Sequence, residues 1–87
     1  MHELSLLADL LRQIESIANE HRAQHVRCVT VRLGALSQIS PGHLREHFTD
    51  GTRGTVAEGS QLMIEMSEDI HDEHAGDILL ESVEVDE

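Results

Sequence analysis

Residues 26–33 read Val-Arg-Cys-Val-Thr-Val-Arg-Leu, and this segment decides the fold class that the sequence predicts. Val29, Val31 and Leu33 alternate with small or polar residues, which is typical of a half-buried β-strand, and Gly34 ends the pattern. Shorter alternations over residues 62–66 and 79–85 predict two further strands.

Two helices are predicted around these strands. The first runs from about residues 3–5 to residue 21, because apolar residues recur there at three- and four-residue spacing. These residues are Leu4, Leu7, Ala8, Leu11, Ile14 and Ala18. The second begins at Ser40-Pro41, since Ser is a good N-cap and Pro suits the first helical position, and residues 50–54 are predicted as a loop.

The order helix, strand, helix, strand, strand predicts an α+β fold. We expect two helices packed on one face of a small three-stranded mixed sheet, in a single domain that spans residues 1–87. A polar segment of about ten residues, 67–76, separates the last two strands. Its shortness favours a direct β-hairpin between those strands.

Composition excludes several classes of protein. The net charge of −11 argues against a nucleic-acid partner, whose phosphates would be repelled. No apolar run is long enough to cross a membrane. Cys28 is the single cysteine, which excludes an internal disulfide and predicts a cytoplasmic location. The six arginines all precede residue 54, and residues 65–87 carry ten acids, which suits cations and basic partners.

The first three residues form a potential metal chelate. The α-amine of Met1 and the imidazole of His2 can bind one ion, and neighbouring backbone amides can add nitrogens if the metal displaces their protons. Ni(II) and Cu(II) favour such square-planar nitrogen sites, whereas Zn(II) prefers a tetrahedron. On residue chemistry alone, the alternative stays open that this N-terminus merely leads into a helix.

Other histidines give weaker patterns. His43 and His47 lie four residues apart on the second helix, a spacing that can hold one metal ion, although no third ligand is near in sequence. His71 and His74 lie among carboxylates in a predicted loop that could gather Ni(II) or Zn(II), or that is simply a hydrophilic turn. Cys28 is interpreted as a packed strand residue rather than a nucleophile.

Catalysis finds no support in the sequence. It contains no Gly-rich phosphate loop, no nucleophile elbow and no zincin helix motif. We therefore predict that the protein is not an enzyme.

Four stretches in order, residues 1–6, 29–37, 54–62 and 80–85, resemble the HypA/HybF family of hydrogenase nickel-incorporation proteins. The resemblance implies a metallochaperone that binds Ni(II) transiently at its N-terminus and passes it to a [NiFe]-hydrogenase large-subunit precursor. Its implied ligands are Met1, His2 and Glu3, the last mainly through its amide nitrogen. It also implies a HypB-type GTPase partner and, in some members, a role in urease maturation.

The sequence departs from the family pattern at two places. The zinc-binding insertion of the family, with its two Cys-x-x-Cys pairs, is replaced by about residues 67–76, so no structural zinc is expected. Ser40 stands where members often have a carboxylate that can approach the nickel. These departures keep an alternative open, a metal-independent interaction module that docks a hydrogenase precursor or a GTPase. A homo-oligomer is an open possibility, and the sequence does not determine the oligomeric state.

Overall fold

The computed structural model describes residues 3–86, and the side chains of residues 5–86. The chain forms two helices and three strands, α1 (Glu3–Glu20), β1 (His25–Leu33), α2 (Pro41–Gly51), β2 (Gln61–Met66) and β3 (Ile78–Asp86). Every predicted element is present, and the strand boundaries differ by at most one residue. The prediction of a loop over residues 50–54 is wrong at its start, because α2 continues through Asp50 and Gly51.

The three strands form one sheet in the order β2-β1-β3. β1 pairs with β2 in parallel, Val29 opposite Leu62, and with β3 in antiparallel orientation, Val29 opposite Val83. A parallel neighbour requires a long crossover, which α2 supplies between β1 and β2. The sheet is therefore mixed, as predicted.

The expected hairpin between β2 and β3 is wrong, because β1 lies between them. A hairpin would have placed β1 at an edge of the sheet. Instead Val26, Val29 and Val31 of β1 are completely buried, and a central position removes this apolar strand from water on both edges. Residues 67–77 thus cross over the end of β1 to reach its other side.

A β-bulge explains how Val26 and Val29 both face the core although three positions separate them. The pairing of β1 with β3 shifts between Val26 and Cys28, so one extra residue is accommodated there. Such a bulge breaks the strict two-residue alternation of side chains. The alternation predicted from Val29 onward holds, but the bulge itself leaves no signal in the sequence.

The core lies between one face of the sheet and the two helices. Its members include Leu10 and Ile14 of α1, Leu44 and Phe48 of α2, and Val31 of β1. The opposite face carries exposed ion pairs, such as Arg32 with Glu81 at 3.3 Å. This arrangement confirms the predicted α+β class with both helices on one face. Within the described part of the chain, no helix is long and apolar enough to cross a membrane.

Candidate functional site

The predicted nickel ligands lie at the start of α1. Met1 and His2 fall outside the described residues, and Glu3 is the first residue of α1, with a side chain that is not described. The helix itself is firmly held, because Leu7 and Leu10 are buried in the core within its first three turns. The chain segment that carries the predicted chelate therefore leads directly into a rigid element.

The direction of α1 places its start beside the end of β1. Only residues 21–24 connect α1 to β1, and the backbone N–H of Ala23 donates to the carbonyl of Ala18 at 2.9 Å, which turns the chain back. Because this connection is short and both elements contribute to one core, we infer that they run in opposite directions. The N-terminal end of α1 thus lies on the same side of the molecule as Leu33, the last residue of β1.

The start of α2 lies on that side as well, since residues 34–40 connect the end of β1 to Pro41. Ser40 is the N-cap, and its hydroxyl oxygen accepts a hydrogen bond from the backbone N–H of His43 at 3.2 Å. Pro41 occupies the first turn, as predicted. The Ser40 hydroxyl is therefore used to satisfy an otherwise unpaired helix amide.

Residues 67–77, which we call the crossing loop, also lie at this end of the molecule. The N–H of Ser67 donates to the carbonyl of Leu33 at 2.9 Å, and the N–H of Gly34 donates to the carbonyl of Asp77 at 2.9 Å. Gly34 is required by this close crossing: a Cβ there would lie 2.6 Å from the carbonyl carbon of Ala75. The crossing loop is thus fixed against the end of β1.

His71 and His74 lie in the crossing loop, but their neighbouring carboxylates form turns. The backbone N–H groups of His71 and His74 donate to the carboxylates of Asp69 and Asp72, each at 2.9 Å. Across the described residues, no three His, Cys, Asp or Glu side chains are grouped so that they could hold a metal ion. The interpretation of this segment as a hydrophilic turn is the one that its geometry favours.

His74 has a partner that favours its protonated form. Its Nδ1 lies 3.0 Å from Oδ2 of Asp77, and its Nε2 lies 3.4 Å from Oε1 of Glu73. The hydrogen bond to Asp77 raises the pKa of His74, and the charge of Glu73 adds to the effect. His74 is therefore held by carboxylates of its own turn, Asp77 on one ring nitrogen and Glu73 on the other.

The other histidines in the described part of the chain are exposed or half-buried. The rings of His43 and His47 have centroids 6.4 Å apart, on the solvent side of α2. His25 lies at the opposite end of β1, where its Nε2 is 3.2 Å from the carbonyl oxygen of Glu58. His25 thus belongs to a strand while His21 follows α1, so the two do not share a helix face, in line with the sequence interpretation.

Cys28 is a free, buried cysteine in β1. Burial raises the pKa of its thiol, and the neighbouring Glu84 raises it further. A raised pKa keeps the thiol protonated and poorly nucleophilic. The interpretation of Cys28 as a packed residue is therefore supported.

The sequence analysis did not predict that large apolar side chains are exposed at this end of the molecule. Leu36, Met66 and Ile70 are exposed by 57%, 64% and 55%, although the alternation of β2 predicted that Met66 points toward the core side. Met66 does pair with the buried Leu33, but at the last position of β2 its side chain is left largely exposed. The signal in the sequence that could have indicated this exposure was the presence of large apolar residues inside otherwise polar turns.

Comparison with known proteins identifies the family. Residues 1–71 match the family model described as hydrogenase/urease nickel incorporation, metallochaperone, HypA. Proteins described as hydrogenase maturation factor HypA are 36% identical over 66 residues in Methanosarcina mazei and 41% over 66 residues in Aquifex aeolicus. Each alignment covers 76% of this chain, but 48% and 57% of those proteins, so the chain spans about half the length of the curated relatives it matches.

A solved structure shows the same fold. The solution structure of the Ni metallochaperone HypA from Helicobacter pylori superposes with a TM-score of 0.78 at 18% identity, covering 98% of this chain and 97% of that one. The matched family is one of metallochaperones and not of enzymes, in agreement with the prediction from sequence. With the family model matching residues 1–71, the chain belongs to the HypA family of hydrogenase and urease nickel-incorporation proteins.

Proposed function

We propose that this chain is a nickel metallochaperone that binds Ni(II) through Met1, His2 and Glu3 and releases it for hydrogenase maturation. The observation that carries the proposal is the start of α1 at Glu3. The first four N–H groups of a helix have no acceptor within the helix, so the Glu3 amide is available to a metal. The amine, imidazole and amide nitrogens then lie within three consecutive residues.

The start of α1 also favours Ni(II) over Zn(II). A helix N-terminus carries a partial positive charge, which stabilises nearby anions by about 0.3–1 kcal/mol and opposes a bare dication. A metal that displaces amide protons creates anionic nitrogens at this position, and Ni(II) and Cu(II) are suited to such square-planar nitrogen sites. Zn(II), which prefers a tetrahedral set, gains less from this geometry.

Calorimetric Ni(II) titration tests the proposal by comparing the wild-type protein with His2→Ala and His21→Ala. His21 is exposed after the far end of α1, so His21→Ala is a matched control for the loss of one surface imidazole. We expect one tight site in the wild type and in His21→Ala, and its loss in His2→Ala. Tight binding that persisted unchanged in His2→Ala would contradict the proposal.

The proposed recipient is a [NiFe]-hydrogenase large-subunit precursor, and the proposed assisting partner is a HypB-type GTPase. Support comes from the family description, which names hydrogenase and urease nickel incorporation.

No structural zinc is expected, because the strands β2 and β3 are joined by a loop that contains no cysteine. Metal analysis of purified protein tests this, with less than one zinc per chain expected. The cytoplasmic location stays a prediction.

A second candidate function is a metal-independent module that only docks a hydrogenase precursor or a GTPase. It is favoured by Ser40, whose hydroxyl caps α2 where relatives are expected to offer a carboxylate to the metal. The two candidates differ in one measurable property. Capture of a precursor by a protein that binds nickel no more tightly than His2→Ala would favour the second candidate.

A further inference from the structure

His43 and His47 on α2 are a pair of imidazoles that the proposed nickel site does not use. They lie four residues apart, and residues at that spacing are neighbours on one face of a helix. The centroids of their rings are 6.4 Å apart, and the ring planes are inclined to each other by 56°. The structure therefore brings the two rings together on the surface of a single element.

The ring nitrogens of this pair are available to a ligand. In the part of the chain that the structure describes, no hydrogen bond or ion pair involves the ring of His43 or of His47. The ring of His74 differs, because its Nδ1 lies 3.0 Å from Oδ2 of Asp77. A ligand that binds the pair on α2 thus breaks no contact with a described residue.

Packing of α2 fixes the backbone that carries the pair. Leu44 and Phe48, each of which directly follows one of the two histidines, are 0% and 3% exposed. Between them, Nη1 of Arg45 donates to the carbonyl of Leu62 at 2.6 Å, which ties α2 to β2. Because the helix is already ordered, a bound ion has to immobilise only the two side chains, which lowers the entropic cost of binding.

The separation of the rings is within reach of one metal ion. An ion bound by two imidazoles lies about 2.0–2.1 Å from one nitrogen of each. The nitrogens lie at the ring edges, so rotation about the side-chain bonds is sufficient to bring one from each ring to the same ion. His43 is exposed and His47 is half-buried, which leaves the rings accessible from solvent.

The rest of the coordination shell would be water. Among the described residues, no third His, Cys, Asp or Glu side chain is grouped with the pair so that it could complete a metal site. Two protein nitrogens are fewer than the proposed N-terminal chelate offers. A site on α2 is therefore expected to be the weaker of the two and to exchange its ion readily.

We propose that His43 and His47 form a two-imidazole site on α2 for a borderline divalent ion of the class of Cu(II), Ni(II) and Zn(II). Imidazole suits these ions, whereas Mg(II) prefers oxygen ligands. Cu(II) should bind most tightly, in line with the general order of affinities for divalent ions. This site shares no ligand with the N-terminal chelate, so it does not depend on the proposed function.

The test is a Zn(II) titration of the full chain carrying His2→Ala and an acetylated amine, followed through the histidine ring signals by nuclear magnetic resonance. We expect the signals of His43 and His47 to shift together along one binding curve. His43→Ala and His47→Ala should each raise the Kd at least about tenfold, because either change leaves a single imidazole. Substituting both should weaken binding little further than either change alone.

Two controls separate a built pair from general attraction of cations to an acidic protein. His21→Ala removes one exposed imidazole outside α2 and should leave the Kd within about twofold. Mg(II) at the same concentration should not shift the ring signals of the pair, although it is attracted equally by the net charge of −11.

Four results would each overturn the assignment. These are separate binding curves for the two rings, an unchanged Kd in His43→Ala, an equal loss in His21→Ala, and an equal response to Mg(II). Failure of the N-terminal nickel site would leave the assignment standing, since both of its distinctive ligands are already disabled in the tested protein.

Discussion

Gly34 is the residue on which the crossing of the chain over β1 depends. An added Cβ would meet the carbonyl carbon of Ala75 at 2.6 Å and the carbonyl oxygen of His74 at 2.7 Å, and both are backbone atoms that cannot rotate away. We expect Gly34→Ala to lower the free energy of unfolding by about 1–3 kcal/mol, as overpacked positions do. Urea denaturation measures this change.

Gly42 provides the control for that substitution. It is an exposed residue in the first turn of α2, and an added Cβ would meet no atom within 4 Å. Gly42→Ala should therefore stabilise the protein by about 0.4–1 kcal/mol, because it restricts the unfolded chain and favours the helix. Equal effects of the two substitutions would show that the loop does not press on Gly34.

His74 makes part of the stability depend on pH. Its pKa is raised by the hydrogen bond to Asp77, so its protonated form is favoured in the folded state. This contribution is fully present below the ordinary histidine pKa of about 6.5 and is lost as pH rises through the raised folded value. We expect His74→Asn to lose stability relative to wild type in acid, with the difference fading at alkaline pH.

Nuclear magnetic resonance titration of the His74 ring measures the cause directly. In Asp77→Asn the pKa of His74 should fall, since the substitution removes the charge of its principal partner. His43 serves as an internal reference, because it lies on α2 and not in the crossing loop. A His74 pKa that did not change in Asp77→Asn would contradict the assignment of Asp77 as the cause.

At the scale of elements, the N-cap of α2 depends on Ser40. Its hydroxyl accepts from the His43 N–H, and alanine leaves that amide without a partner. We expect Ser40→Ala to destabilise the protein by about 1 kcal/mol, and Ser40→Asp to retain the cap and complement the helix dipole. Thermal unfolding checks this order of stability. A Ser40→Ala protein as stable as Ser40→Asp would mean that the cap is not needed.

The sequence was sufficient to predict the elements and the α+β class, but not the order of the strands in the sheet. Helix periodicity, the alternation after Val29 and the Ser40-Pro41 start are local signals, and the structure confirms all three. The position of β3 beside β1 is not local, because it depends on which edge of the sheet is buried most favourably. A short connection alone therefore predicted the wrong neighbour.

The candidate site was predictable only in part, for a related reason. The proposed N-terminal chelate would be formed by three consecutive residues, so all of its candidate ligands can be read from the sequence. The exposure of Leu36, Met66 and Ile70 depends on how the turn after β1 and the crossing loop meet at the end of β1, which no local pattern shows. The shell of carboxylates around His74 likewise requires the turn that brings Asp77 to its ring.

At the scale of the whole molecule, a net charge of −11 on 87 residues is the dominant electrostatic feature. Exposed ion pairs such as Arg27 with Glu84, 3.2 Å apart, contribute about 0–1 kcal/mol each and do not offset the general repulsion. We expect the thermal midpoint to rise when NaCl is increased from about 20 mM to about 300 mM, because salt screens the repulsion. A falling midpoint would mean that ion pairs outweigh repulsion.

The family membership, the fold and the start of α1 together support one central claim, that the N-terminus is the nickel site. The most direct test is a Ni(II) titration of protein with a free Met1 amine beside the same protein with that amine acetylated. Acetylation removes one ligand and changes no side chain. We predict one tight site with the free amine and its loss on acetylation; equally tight binding in both proteins would contradict the claim.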